Sequence, residues 1–124
     1  MEKDALARQL GISLTEIKPG YATATVKVTP ELLNGAGLTH GGTVFALADI
    51  AFAAASNSHG SLALALNVSI NFLKATGAGT VLTAVAKEES LTRKTGLYRM
   101  EIRDEKDDLV ALAEGLAYIK GTKT

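Results

Sequence analysis

The feature that most constrains the fold is an apolar stretch from Val44 to Ala55 that contains a single charged residue, Asp49. This stretch predicts one long helix over Thr43–Asn57 that is apolar on nearly every side, and such a helix is buried on all faces. It is much shorter than the roughly 20 residues that a membrane-spanning helix needs. The rest of the chain must therefore wrap around this helix.

Alternating side chains predict the strands that surround the helix. After Gly20, the residues Ala22, Ala24, Val26 and Val28 fall on one face of a strand that ends at Pro30. The preceding residues, 12–17, are expected to pair with this strand. Four later segments are separated by turn residues with the spacing of an antiparallel meander: 62–74, 80–89, 95–103 and 109–120.

A short helix over residues 2–10 is expected before the first strand, with Gly11 at its end. Together these elements predict an α+β fold in which one antiparallel sheet curls around one long central helix. One sheet edge and one flank of the helix stay open in this arrangement. A second copy of the chain is expected to cover them.

Composition narrows the class of protein. The 124 residues suit one domain, residues 1–124, and 47% of them are hydrophobic while 21% are charged. Lys plus Arg and Asp plus Glu number 13 each, so no overall charge favours a nucleic acid or an anionic membrane as partner. There is no cysteine, which excludes disulfide scaffolds and thiolate nucleophiles. No signal peptide is visible, so a cytoplasmic location is expected.

Asp49 is the only formally charged side chain between Glu31 and Lys74. A buried carboxylate without partners loses several kcal/mol of solvation free energy. Such a residue is therefore hydrogen-bonded for structural reasons or kept for function. The residue alone leaves both interpretations open.

The sequence His40-Gly41-Gly42 directly precedes the predicted helix. Glycines at this position let a ligand approach the backbone, and free N–H groups at a helix N-terminus favour an oxygen that carries negative charge. This is the physical basis of an oxyanion hole. The alternative is a tight turn that needs glycine for a positive φ.

Helix geometry connects Gly41 and Asp49. The two residues are eight positions apart, so they lie ~12 Å apart along one helix, whereas a reacting carbonyl must lie ~3 Å from each group. One chain cannot build such a site. Two copies with antiparallel central helices would bring Asp49 of one chain to Gly41 of the other, so a dimer is the expected catalytic unit.

Other sites are less well supported. His59 lies far from His40 in the sequence and is expected to be an exposed loop residue, and no pattern typical of a metal site is present. The sequence has no GxSxG, P-loop or GxGxxG motif. The basic residues Lys74, Arg93 and Lys94, with Thr95, are either solvated turn residues or contacts for the phosphates of a nucleotide-bearing substrate.

Residues 34–49 read N-G-A-G-L-T-H-G-G-T-V-F-A-L-A-D. This segment resembles the active-site segment of the hotdog-fold acyl-CoA thioesterases of the phenylacetate-degradation (PaaI) type. The segments S-I-N-F-L-K (69–74) and R-K-T-G-L-Y-R-M-E-I (93–102) are similar to later strands of that family. The resemblance covers nearly the whole chain.

The resemblance implies a hotdog fold, with five to six antiparallel strands around the helix, a dimer with a continuous sheet, and a homotetramer built from dimers. It implies that Asp49 is the nucleophile or general base and that the Gly41 N–H polarises the thioester carbonyl. Asn34 and His40 would orient the substrate and the attacking water. Lys74, Arg93, Lys94 and Thr95 match the region near the coenzyme A moiety. No metal or other cofactor is expected, because coenzyme A is part of the substrate.

The acyl group is expected in an apolar pocket, with Gly42 near the carbonyl and with Phe45, Ala46, Ile50 and Phe52 as lining residues. An aryl-acetyl or medium-length acyl group would suit that pocket. Some relatives carry a polar residue near the catalytic acid, whereas this chain has alanine at 53, 63 and 65. A side chain that positions the attacking water is therefore not identified.

Three alternatives remain at this point. A non-catalytic acyl-CoA-binding module of the same fold would bind without turnover, a dehydratase would need a different arrangement of histidine and acid, and a structural dimerisation domain would need none of these residues. The sequence also does not distinguish coenzyme A from an acyl carrier protein as the carrier of the acyl group.

Overall fold

The computed structural model describes residues 4–122. A short helix, α1 (Ala5–Leu10), precedes two strands and a 3-10 turn, Pro30–Leu32, and one long helix follows, α2 (Gly41–Ser56). The six strands within the described range are β1 (Ser13–Lys18), β2 (Tyr21–Lys27), β3 (Ser61–Phe72), β4 (Val81–Leu91), β5 (Thr95–Arg103) and β6 (Leu109–Thr122). Among these residues no helix is both long and apolar enough to cross a membrane.

The N-terminal helix agrees with the sequence prediction from Ala5 onward, and residues 2 and 3 lie outside the described residues. The Asp4 side chain caps α1, and Gly11, with φ 75°, ends it in the left-handed conformation that glycine favours. The pairing of β1 with β2 is also confirmed, with Lys18 opposite Tyr21 across the Pro19-Gly20 turn.

The strands form one antiparallel sheet in the order β1-β2-β4-β5-β6-β3. The predicted meander is correct for β4, β5 and β6 but wrong for β3, which pairs with β6 at the far edge. The segment 73–80 causes the difference because it crosses from one side of the sheet to the other. At one end the Leu73 N–H donates to the Val110 carbonyl at 2.8 Å, and at the other the Gly79 N–H donates to the Val28 carbonyl at 2.8 Å.

Small side chains allow α2 to pack closely on one face of the sheet. The alanines that face it are almost fully buried, with exposures of 0–3%: Ala22, Ala24, Ala84, Ala86, Ala111, Ala113 and Ala117. The Phe52 ring packs edge-on against Tyr98, with ring centroids 5.7 Å apart. A Cβ on Gly115 would lie 2.8 Å from the Phe52 ring, so this position of β6 has to be glycine.

One stripe of α2 is not covered by the sheet. Phe45 and Ala53 are exposed and Asp49 is half-buried, and these residues are four positions apart on one face of the helix. The neighbouring edge strand β3 also carries exposed apolar residues, with Leu64 at 47% and Leu66 at 59%. The predicted burial of α2 is therefore incomplete in one chain, and the open stripe and edge are those expected for a second copy.

Candidate active site

The N-terminus of α2 is built around a histidine cap. The Gly42 N–H donates to His40 Nδ1 at 2.8 Å, so a neutral His40 carries its proton on Nε2. The backbone of His40 is extended, with φ −62° and ψ 134°, and the helix begins at Gly41. Within residues 4–122 the Gly41 N–H has no hydrogen-bond acceptor. It is therefore available to a ligand.

Neither of the two glycines is needed for a turn. Both lie in the first turn of α2, and neither has a positive φ, so the tight-turn alternative is wrong. A Cβ on Gly42 would lie 3.0 Å from His40 Nδ1 and would crowd the cap. A Cβ on Gly41 would lie 3.5 Å from the ring of Phe72, which is ordinary van der Waals contact.

Asn34 organises the loop that faces this helix terminus. Its Oδ1 accepts from the backbone N–H groups of Ala36 at 2.9 Å and Leu38 at 3.1 Å. In the part of the chain that the structure describes, its Nδ2 group has no acceptor of its own. Asn34 thus has a structural role at one end of its carboxamide and a free donor at the other.

Asn34 and Gly41 share one cavity of about 340 Å³. Its other lining residues come from the loop before α2, the first turns of α2, the end of β3 with its following segment, and β6: Leu38, Thr39, Val44, Phe72, Leu73, Lys74, Ala75, Thr76 and Val110. The lining residues are mostly apolar, and the polar ones are Asn34, Thr39, Lys74 and Thr76. Asp49 is not among the lining residues, because it lies two turns further along α2.

Asp49 is half-buried on the open stripe of α2. Its carboxylate has no hydrogen bond or ion pair with any residue in the range 4–122. Asp49 therefore makes none of the contacts within this range that a structural buried aspartate would make. Burial raises the pKa of Asp49 above its ordinary value of 3.8, and the negative charge of Asp4 raises it further. A carboxyl group with a raised pKa and no partner is a candidate for a functional role.

The basic residues do not come together in one chain. The Lys74 N–H donates to the Val110 carbonyl, and the Lys94 carbonyl accepts from the Ile119 N–H. Val110 and Ile119 are nine positions apart along β6, so the two basic positions are about 30 Å apart, at opposite ends of the sheet. The predicted grouping of Lys74 with Arg93, Lys94 and Thr95 is therefore not formed within one subunit.

Lys74 also forms ion pairs with two acidic residues. Its Nζ donates to Asp104 Oδ2 at 2.6 Å and to Asp108 Oδ2 at 2.8 Å. The hydrogen bonds to these carboxylates raise the pKa of Lys74, and the same contact lowers the pKa of Asp104. In this chain Lys74 ties the end of β3 to the β5–β6 turn, and contact with a phosphate stays a prediction.

The predicted acyl-pocket residues separate into two groups. Phe45 lies on the open stripe beside Asp49, and Ile50 lines a second cavity of about 300 Å³. Ala46 and Phe52 are 7% and 1% exposed and pack in the core, so their assignment to the pocket is wrong. A helix that is apolar all round gives no sequence signal for which side faces the sheet.

The second cavity involves residues that the sequence reasoning missed. Leu14 and Ile17 of β1 and Asp4 are among its lining residues. The alternation of apolar residues in 12–17 and the position of Asp4 just before a helix were the available signals.

His59 is exposed in the turn after α2, as expected, and its side chain also has partners. Its Nε2 lies 2.6 Å from Glu88 Oε2, and the hydroxyl of buried Tyr98 donates to the same oxygen at 2.8 Å. This cluster holds the C-terminal end of α2 against β4 and β5. Within residues 4–122 no group of three or more His, Asp or Glu side chains is arranged to hold a metal ion.

Comparison with known proteins gives consistent matches. Residues 36–111 match the family described as Thioesterase superfamily. A putative esterase of Archaeoglobus fulgidus is 48% identical over 117 residues, which are 94% of this chain and 76% of that protein. Acyl-coenzyme A thioesterase PaaI of Escherichia coli is 43% identical over 124 residues, which are 99% of this chain and 89% of that protein.

Solved structures agree with these matches. The structure of the E. coli PaaI protein superposes with a TM-score of 0.94 and covers 99% of this chain and 90% of that one. A hypothetical thioesterase of Streptococcus pneumoniae, solved with coenzyme A, has a TM-score of 0.86 at 27% identity and covers 91% of each chain.

Proposed function

Because this chain belongs to the thioesterase superfamily, as a PaaI-like thioester hydrolase of the hotdog fold that acts on acyl-CoA, we propose that two copies of it build each active site together. One copy contributes the Asp49 carboxylate and the other contributes the Gly41 N–H. The finer assignments below belong to this proposal.

One observation carries the proposal. The Asp49 carboxylate and the Gly41 N–H both lack partners within residues 4–122, and they lie ~12 Å apart along the same helix. A two-fold axis that sets two α2 helices antiparallel along their open stripes would place Asp49 beside Gly41 of the partner subunit, twice per dimer. The exposed β3 edges would then pair into a continuous sheet.

The chemistry follows from these two groups. The Gly41 N–H donates to the thioester carbonyl oxygen and stabilises the negative charge that develops there. Asp49 either removes a proton from a water whose oxygen attacks the carbonyl carbon, or attacks that carbon itself to form an anhydride that water then hydrolyses. In both routes the carbon–sulfur bond breaks, and coenzyme A leaves as a thiolate that takes up a proton.

Neighbouring groups would orient the reactants. The free Nδ2 of Asn34 and the Nε2–H of His40 are donors at the same helix terminus as Gly41, while Gly42 gives its N–H to the cap. The exposed Phe45 ring lies one turn from Asp49 and would contact the acyl group. An aryl-acetyl or medium-length acyl group suits these apolar surroundings.

Coenzyme A would also bind across two subunits. Antiparallel β3 edges bring the Lys74 end of one chain close to the β4–β5 turn of the other, where Arg93 and Lys94 lie and after which Thr95 begins β5. The bound coenzyme A in the S. pneumoniae structure supports a ligand of this class. Pairing of dimers into a tetramer, a cytoplasmic location and hydrolysis without a metal stay predictions.

The test is free-thiol release from a panel of aryl-acetyl, benzoyl and straight-chain acyl-CoA thioesters. We expect turnover by the wild type and a loss of at least ~100-fold in kcat for Asp49→Asn, the range that general-base catalysis contributes. Asp107→Asn is the matched control, because this carboxylate is on a turn and its side chain is 90% exposed. Binding of acyl-CoA without turnover by the wild type would instead favour the non-catalytic module.

A further inference from the structure

The second cavity adjoins the face of α2 that carries Asp49. Its apolar walls include Leu14 and Ile17 of β1 and Ile50 and Ala53 of α2. Ile50 directly follows Asp49, and Ala53 lies one helical turn beyond it on the same face. Asp4, just before α1, also lines this cavity. Two carboxylates are thus placed on one side of α2.

The position of Asp4 is fixed by the fold. Its Oδ1 accepts from the Ala7 N–H at 3.0 Å as the N-cap of α1. Ala7 is fully buried, and the Ile12 N–H donates to its carbonyl at 2.9 Å, so α1 is held against the start of β1. A capping side chain has little rotamer freedom, and its charge therefore stays in one place.

Within the described range neither Asp4 nor Asp49 forms an ion pair. On the neighbouring elements, Arg8 is exposed, and Lys18 pairs with Glu16 at 3.7 Å and lies over the Tyr21 ring.

The sheet also offers Asp49 no counter-charge. Alternation places its charged residues on the face away from α2, among them Lys27, Lys87, Arg99, Glu101, Arg103 and Glu114. His59, Glu88 and Tyr98 form their own cluster at the C-terminal end of α2.

We propose that Asp4 is a positioning residue for thioester hydrolysis, because it fixes a second negative charge on the flank of α2 that carries Asp49. The inference rests on the proposed role of Asp49. The effect of Asp4 on the Asp49 pKa, which adds to that of burial, has the required direction. A stronger base removes a proton from water more readily.

The Asp4→Asn variant removes the charge of Asp4 and keeps the helix cap. Asparagine is as good an N-cap as aspartate, so α1 should form as before while the charge is removed. We expect Asp49 to titrate at a lower pH in this variant, because a nearby like charge has been removed. The acid limb of the kcat/KM profile should move by the same amount. Both shifts should shrink at ~1 M salt, where the screening length is ~3 Å.

Two measurements decide the question. Carboxyl ¹³C NMR follows the Asp49 titration without any turnover, and kcat/KM against pH follows the reaction. Glu16→Gln removes one exposed carboxylate from β1 as a charge control, and Asp4→Ser keeps a capping oxygen as a second uncharged variant. Both Asp4 variants should shift, and Glu16→Gln should not.

The outcomes are distinct from those that test the proposed function. An Asp49 titration that is the same in wild type and in both Asp4 variants would overturn this inference, even if Asp49→Asn abolishes turnover. A titration that moves while the acid limb stays in place would overturn the role of Asp4 in the reaction. Absence of wild-type turnover on every thioester, with a titration that moves, would overturn the proposed function and leave the charge coupling established.

Discussion

At the scale of single residues, Gly41 offers a direct test of the oxyanion hole, because proline is tolerated at the first position of a helix and has no N–H to donate. The extended backbone of His40, with φ −62° and ψ 134°, is the conformation that a residue before proline prefers. Gly41→Pro should therefore fold but lose the carbonyl donor. We expect kcat to fall ~10²- to 10³-fold, the cost of removing one such donor.

Gly41→Ala is the matched control for this prediction. It retains the N–H, and its Cβ would meet Phe72 only at ordinary contact distance, 3.5 Å. Kinetics on both variants, with circular dichroism to verify the helix, make the comparison. Equal losses in the two variants would show that bulk at this position, and not the missing N–H, is responsible.

The same residues show what a sequence can predict at this scale. The isolated charge of Asp49 and the glycines before α2 were enough to predict a carboxylate and a free N–H on one helix. The structure adds that the Gly42 N–H donates to His40 Nδ1, with the two nitrogens 2.8 Å apart. That bond depends on a side-chain rotamer, which no residue pattern encodes.

At the scale of elements, the contact of Lys74 with Asp104 and Asp108 fixes the end of β3 to the β5–β6 turn. The Asp104 side chain is 3% exposed and also accepts from the backbone N–H groups of Lys106 and Asp108. We expect Lys74→Met to lower Tm at neutral pH, because this carboxylate then has no cation. Differential scanning calorimetry of Lys74→Met beside Lys120→Met, a basic residue exposed on β6, measures the difference.

The pH dependence of this effect has a defined sign. Contact with Lys74 lowers the folded-state pKa of Asp104 below its ordinary value of 3.8. Its contribution to stability is therefore complete above about pH 4 and is lost as the pH falls through the folded pKa. The Tm difference between wild type and Lys74→Met should shrink below that pH. A difference that is constant from pH 7 to pH 2 would contradict an electrostatic origin.

The placement of β3 shows the limit of sequence reasoning for elements. Strand lengths and turns were predicted within a few residues, since they depend on local alternation and on turn-forming residues such as Gly77 and Gly79. The partner of β3 depends on the path of 73–80 across the sheet, which is set by long-range hydrogen bonds to Val28 and Val110. The spacing of residues along the chain does not predict such a crossover.

At the scale of the whole molecule, the proposed shared site makes activity depend on an assembly of subunits, and the open stripe of α2 and the exposed β3 edge are the surfaces that would form it. A site shared across a two-fold axis can be restored from two inactive chains. In a mixed dimer of Asp49→Asn and Gly41→Pro subunits, one site combines the intact Asp49 of the second variant with the intact Gly41 N–H of the first. The other site contains both defects.

Mixing the two variants should therefore restore activity that neither has alone. If equal amounts re-equilibrate at random, half of the dimers are mixed and each has one intact site of two, so about a quarter of wild-type activity is expected. The measurement is thiol release after the purified variants are unfolded and refolded together, beside each variant refolded alone. Recovery no greater than the sum of the separate variants would contradict the shared site and place Asp49 and its carbonyl donor in one chain. The distance of ~12 Å between these two groups along α2 would then need another explanation.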